Sequence, residues 1–96
     1  MTDTEKLAML KANLQMLTSV NDQLLNFFLG AGRAAMAREG IVDDGSADYQ
    51  VCEIDYAAYL FRKRAAENTG MPRFLRWQMN NLLMSQKMKA GDSSDV

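Results

Sequence analysis

Ninety-six residues, 48% hydrophobic and 24% charged with a net charge of −1, bound one ordinary globular domain with a modest core. No residue is histidine, which removes the Ser-His-Asp and Cys-His pairings, the usual imidazole metal ligands and the usual near-neutral acid–base group. A single cysteine, Cys52, excludes an internal disulfide and a CxxC metal site and fits synthesis in a reducing cytoplasm. The acidic start Met-Thr-Asp-Thr-Glu-Lys is unlike a signal peptide, and the apolar runs are too short to cross a bilayer.

Charge is unevenly laid out. Up to Phe61 there are nine acids against Lys6, Lys11, Arg33 and Arg38; from Arg62 to Lys89 there are seven bases against Glu67 alone. Such a layout can steer subunits head to side or bring one end near a polyanion.

Thr2 and Glu5 have the spacing of a capping box, and Leu7, Leu10, Leu14 and Leu17 recur every three or four residues, so a first helix is expected over residues 5–17. Thr18, Ser19, Asn21 and Asp22 supply caps and an acid for a restart. The second helix is expected over residues 21–39, burying Leu24, Leu25, Phe28, Ala35 and Met36. Gly30 and Gly32 make its middle thin at about 1 kcal/mol each relative to alanine, a cost that close approach of the central helix can offset. Gly40 is placed as the residue after the helix end, with Ile41 and Val42 folding back in a Schellman ending.

Asp43 to Ser46 read as a turn, with Ser46 as N-cap of a long central helix over residues 47–68. The run Ala57, Ala58, Tyr59, Leu60, Phe61 sweeps the whole circumference of that helix, so neighbours are expected on every side, a second copy of the chain among them. The candidate interface with a copy or partner is Tyr56, Tyr59 and Leu60, joined by Trp77 and Met84 of the last helix. Pro72 sits in the first turn of a fourth helix over residues 72–89, with Phe74, Leu75, Met79 and Leu82 inward, Trp77 half-buried and Arg73, Arg76, Asn80 and Lys87 as a polar edge. Residues 1–90 thus form one domain, an all-α bundle of about four helices around the third, and residues 91–96 a disordered tail.

Short motifs give little chemistry. Gly30-Ala-Gly-Arg-Ala-Ala35 matches the G-x-G-x-x-A spelling, but it interrupts a helix instead of joining a strand to one, so it reads as small residues for packing. Asp43, Asp44 and Asp48 lack the spacing of an EF-hand loop and suit a turn and helix start. Glu53 and Asp55 point about 200° apart on a helix, which prevents paired carboxylate catalysis. Arg62, Lys63 and Arg64, with Arg73 and Arg76, read either as a DNA-facing basic surface or as cations at the negative end of a helix. No catalytic residue, metal ligand or cofactor is expected.

The order of these elements carries a likeness. A short leading helix, a second with Leu24-Leu25 that closes in Gly40-Ile41, and an acidic turn precede a long helix with Tyr56, Ala57, Tyr59, Leu60 and Arg62. Pro72 then opens a last amphipathic helix. This arrangement resembles the small head-tail connector (adaptor) proteins of tailed bacteriophages and prophages, also described as DNA-packaging proteins, over about residues 5–87. The resemblance implies a helical subunit of a homo-oligomeric ring below the portal. That ring extends the DNA channel, meets the portal and a tail or head-completion protein, touches duplex weakly and without sequence preference, and needs no membrane. It also implies assembly in the bacterial cytoplasm and residence in the virion neck. The rival reading is a DNA-binding regulator, in which the third helix, a short Gly-containing turn and the basic fourth helix imitate a helix-turn-helix.

Overall fold

The computed structural model describes residues 2–16, 18–65 and 70–94. It contains α1 (Asp3–Asn13), α2 (Asp22–Arg38), α3 (Ala47–Ala65) and α4 (Arg73–Ser94), with no strand among the described residues. The chain is an all-α bundle in which α3 touches each of the other helices and packs most extensively against α2.

Local chemistry sets most boundaries. Thr2 Oγ1 accepts from the Glu5 amide at 3.2 Å while Glu5 Oε1 accepts from the Thr2 amide at 3.0 Å, the reciprocal capping box expected from the sequence. At the end of α2 the Ile41 amide donates to Met36 O at 2.9 Å and the Gly40 amide to Ala37 O at 3.0 Å. Gly40 adopts φ +90°. These are the paired bonds of a Schellman ending. Ile41 folds back into the core as expected, but Val42 stays exposed. Ser46 Oγ accepts from the Tyr49 amide at 3.1 Å and caps α3.

Two boundaries and one cap differ from the sequence reading. α1 stops at Asn13, because Gln15 takes φ 58° and the Gln15 and Met16 amides return to Ala12 and Lys11, a second Schellman ending built without glycine. Leu17 lies outside the described residues, as do Asn68 and Thr69, where α3 was expected to end. Asn21 precedes α2 without a side-chain cap bond. α4 runs to Ser94, past Lys89 and into the segment expected to be a disordered tail. Extending an existing helix costs little per residue, and Gly91 opposes it by only about 1 kcal/mol.

Two apolar clusters lie on different sides of α3. Leu10, Leu25 and Leu29 pack with Ile54, Ala57 and Ala58 between α1, α2 and α3. Met36, Ile41, Leu75, Met79 and Leu82 enclose Tyr49, Cys52, Tyr56 and Tyr59 between the end of α2, α3 and α4. The middle turns of α3 are therefore covered by their own chain, with Tyr56 at 9% and Tyr59 at 8% exposure. This corrects the expectation that a second copy must shield them.

Gly32 makes that enclosure possible. A Cβ there would stand 3.4 Å from Tyr56 Cβ and 3.6 Å from Glu53 O, whereas one at Gly30 would meet only the end of the Arg33 side chain at 3.9 Å. The α2–α3 approach is thus set at one of the two glycines. Close by, Lys6 Nζ lies 3.2 Å from Glu53 Oε1, with both side chains buried, and Glu53 Oε2 has no partner among the described residues. This ion pair and Leu10 hold α1 to α3.

Breaking one side of a buried pair strands the other charge, so Lys6→Met should lower unfolding free energy by about 3–5 kcal/mol. Lys6→Met with Glu53→Leu should recover most of that loss in the same denaturant titration. A Lys6→Met loss below about 1 kcal/mol would show that the pair is solvated. Gly30→Ala should stabilise by about 0.5–1 kcal/mol through helix propensity, while Gly32→Leu should destabilise by about 1–3 kcal/mol by forcing α2 from α3. Equal effects at the two glycines would contradict the contact assigned to Gly32.

Candidate functional site

α4 carries two apolar stripes. Leu75, Met79 and Leu82 face α3 and are buried. Phe74, Trp77, Met84 and Met88 lie on the other side, between 60% exposed at Trp77 and 67% at Met88. Phe74 is thus outward where the sequence reading placed it inward, and Trp77 is more open than half-buried. The two residues form an aromatic ledge, their ring centroids 5.9 Å apart and tilted by 31°.

Beside the ledge a groove of about 500 Å³ runs between the start of α3 and α4, lined by Asp44, Asp48 and Val51 on one wall and by Trp77, Gln78 and Asn81 on the other. It points toward a smaller hollow of about 240 Å³ bounded by Asp55, Arg62 and Phe74. The wall supplied by α3 and its preceding turn is acidic. Gln86 fixes that wall: its Oε1 accepts from the Val42 amide at 2.9 Å, and its Nε2 donates to Val42 O at 2.7 Å and to Asp44 Oδ2 at 3.3 Å. Hydrogen bonds from Ser46 hold the Asp44 carboxyl below its ordinary pKa of 3.8. Asp44 therefore keeps its charge into mild acid.

Of the expected interface residues, Trp77 and Met84 are on the open face, Tyr56 and Tyr59 are in the core, and Leu60 is half-buried against it. Tyr56 and Tyr59 meet edge to face, with centroids 5.8 Å apart, and offer a partner little area. The expected DNA-facing residues Arg62, Lys63, Arg64, Arg73 and Arg76 are all exposed, but several are engaged within the fold. Arg62 Nη2 donates to Asn13 Oδ1 at 3.1 Å. Lys63 lies over the Tyr59 ring and Arg64 over Phe61, 5.7 and 4.9 Å from the centroids. Arg76 Nη1 is 2.6 Å from Glu39 Oε1, at the end of α2.

The sequence reading missed the burial of Glu53, whose signal was its place one turn from both Tyr49 and Ala57. It also missed Gln86, whose role depends on a loop more than forty residues away. No group of three His, Cys, Asp or Glu side chains among the described residues is arranged to hold a metal ion. Among them, no helix is long and apolar enough to cross a membrane.

Burial raises the pKa of three groups in the core, Tyr56 and, most strongly, Cys52 and Tyr49. Burial, with Asp55 adding to it, pushes the Cys52 thiol from 9.0 to about 12. Burial, then Glu53 and Asp43, pushes Tyr49 from 10.0 to about 12. Because folding raises both values, the stability from keeping these groups neutral is complete below about pH 9 and is lost as pH rises through about 12. The thermal midpoint should fall across that window, and Cys52→Ala should flatten the part beginning near pH 9. An unchanged profile in Cys52→Ala would refute the assignment.

No family model, curated protein or solved structure matches the chain.

Proposed function

We propose that this chain is a structural assembly subunit and not an enzyme, and that its assembly is the head-tail connector of a tailed phage or prophage. In that role it forms a ring below the portal, extends the DNA channel and offers a docking surface to the tail or a head-completion protein. It assembles in the cytoplasm of the bacterial host and ends in the virion neck. The observation that carries the reading is the uncovered aromatic and methionine face of α4, at the edge of a bundle whose other long helix is already enclosed. Flexible thioethers beside rigid aromatic rings suit a surface that must fit another protein.

Charge supports the ring. Asp44 lies in the turn before α3 and Asp48 in its first turn, and Arg62, Lys63 and Arg64 lie in its last turn, ~20 Å along the helix. Opposite charge at the two ends fits a heterologous contact, in which each copy presents different surfaces to its two neighbours. The same outer face of α4 speaks against the helix-turn-helix regulator. Its stripe is Phe74, Trp77, Asn81, Met84 and Met88, four apolar side chains around a single amide, where a recognition helix needs several side chains that hydrogen-bond to base edges.

Electron microscopy and native mass of the purified protein mixed with a tailed-phage portal protein from the same genome should show a ring seated on the portal. Duplex binding should be weak, indifferent to sequence and lost with modest salt. A complex with one DNA sequence far tighter than with random duplex, and no association with the portal, would replace this reading with the regulator.

A further inference from the structure

Phe74, Trp77, Asn81, Met84 and Met88 follow one another at intervals of three, four, three and four residues, and all five are exposed. That is the a and d spacing of a coiled-coil seam with one polar residue at a central a position. At about 100° per residue, the middle of the seam lies about 150° around α4 from Leu75, Met79 and Leu82, which dock on α3. A helix laid along the seam would meet α4 on the side turned away from its own domain.

We infer that the occupant is the same seam of a second copy, with the two α4 helices parallel about a two-fold axis along them. Charge selects this arrangement. Across the open face the order is acid, apolar, base: Asp44 and Asp48 on the wall of α3 and its preceding turn, then the seam, then Arg73 and Lys87 on the far flank of α4. A two-fold axis along α4 reverses that order in the second copy, so each acidic wall faces a basic flank. The match rests on the level where Asp44 is bonded to Gln86, near Lys87; at the other level Arg62 shares the hollow with Asp55 and offsets it. Antiparallel pairing would set wall against wall and flank against flank.

Asn81 fits the same solution. In parallel register it meets its own copy, and paired asparagines at an a position fix register and favour two strands at some cost in stability. Whole aromatic side chains bury about 150–250 Å² each, so the exposed parts of these four apolar residues come to on the order of 500 Å². With Asn81, Val51 and the charged flanks, that approaches the ~800 Å² per partner of a stable interface.

The inference concerns the same face of α4 that carries the connector reading: a pair formed there leaves the ring and tail contacts to other surfaces, and the two readings fail separately. A two-fold contact closes at two copies and builds no ring alone. The full chain should weigh as a dimer at high concentration by light scattering, and Asn81→Cys and Met88→Cys should each give disulfide-linked dimers on mild oxidation while Cys52 stays buried. Trp77→Ala should weaken the dimer about tenfold or more with helicity unchanged by circular dichroism. Salt should weaken it too. A monomer up to about 1 mM, where even millimolar affinity would show, overturns pairing, as does a Phe74→Cys with Met88→Cys link in place of the Met88 self-link. A monomer whose single tryptophan shifts to the blue only with an added amphipathic helical peptide assigns the face to another partner. A ring on the portal built from such monomers would leave the connector reading standing alone.

Discussion

Glu53 has no exposed surface, and that constraint orders the rest of the molecule. A carboxylate in the interior of a small bundle is tolerable only with a cation brought to it, and Lys6 of α1 is that cation. The pair explains why a short N-terminal helix, with only Leu10 otherwise fully buried, is docked on α3 at all. On the adjacent side Gly32 lets α2 approach until Glu53 O is almost in contact with it. Lys6 and Gly32 together complete a sheath around the middle of α3, with α4 closing the side of Tyr56 and Tyr59.

That sheath moves the question of assembly from α3 to α4. A helix apolar around its girth can be satisfied by its own chain or by copies, and periodicity is the same in both cases. Here the chain suffices. α4 has the opposite character, since its two apolar stripes stand nearly back to back and a single edge position can bury only one. Leu75, Met79 and Leu82 take the inner side, so Phe74 and Trp77 are left outside even though they are the larger apolar groups. Phe74 sits one residue from Leu75 and about 100° from it, too far around to share its contact.

What could be read from the sequence was what depends on neighbours in the chain. The Thr2–Glu5 box, the Gly40 ending, the Ser46 cap and the proline before α4 are each decided within a few residues. Leu25 and Met36 followed from helical period and the close approach at Gly32 from composition. The end of α1 was hidden because its left-handed residue is Gln15, where a glycine would have marked it. Glu53, Gln86 and the orientation of Phe74 were hidden for a different reason. Each depends on a partner from another helix or a distant loop, and no local pattern names that partner.

The cations show what such partners do to a surface. As a string of residues, Arg62, Lys63, Arg64, Arg73 and Arg76 make a basic patch that could grip a phosphate backbone. In the fold, Arg76 is held by Glu39, Arg62 by Asn13, and Lys63 and Arg64 lie over aromatic rings, so a phosphate would have to compete with contacts already made. Each competition lowers the gain from counterion release without removing the positive potential. A surface in that state keeps a positive potential but has few cations left free to fix a phosphate backbone in register. It is a poor basis for selecting one DNA sequence among many. The outer face of α4 is different, since its aromatic rings and thioethers are exposed and dock on no other helix of the described fold.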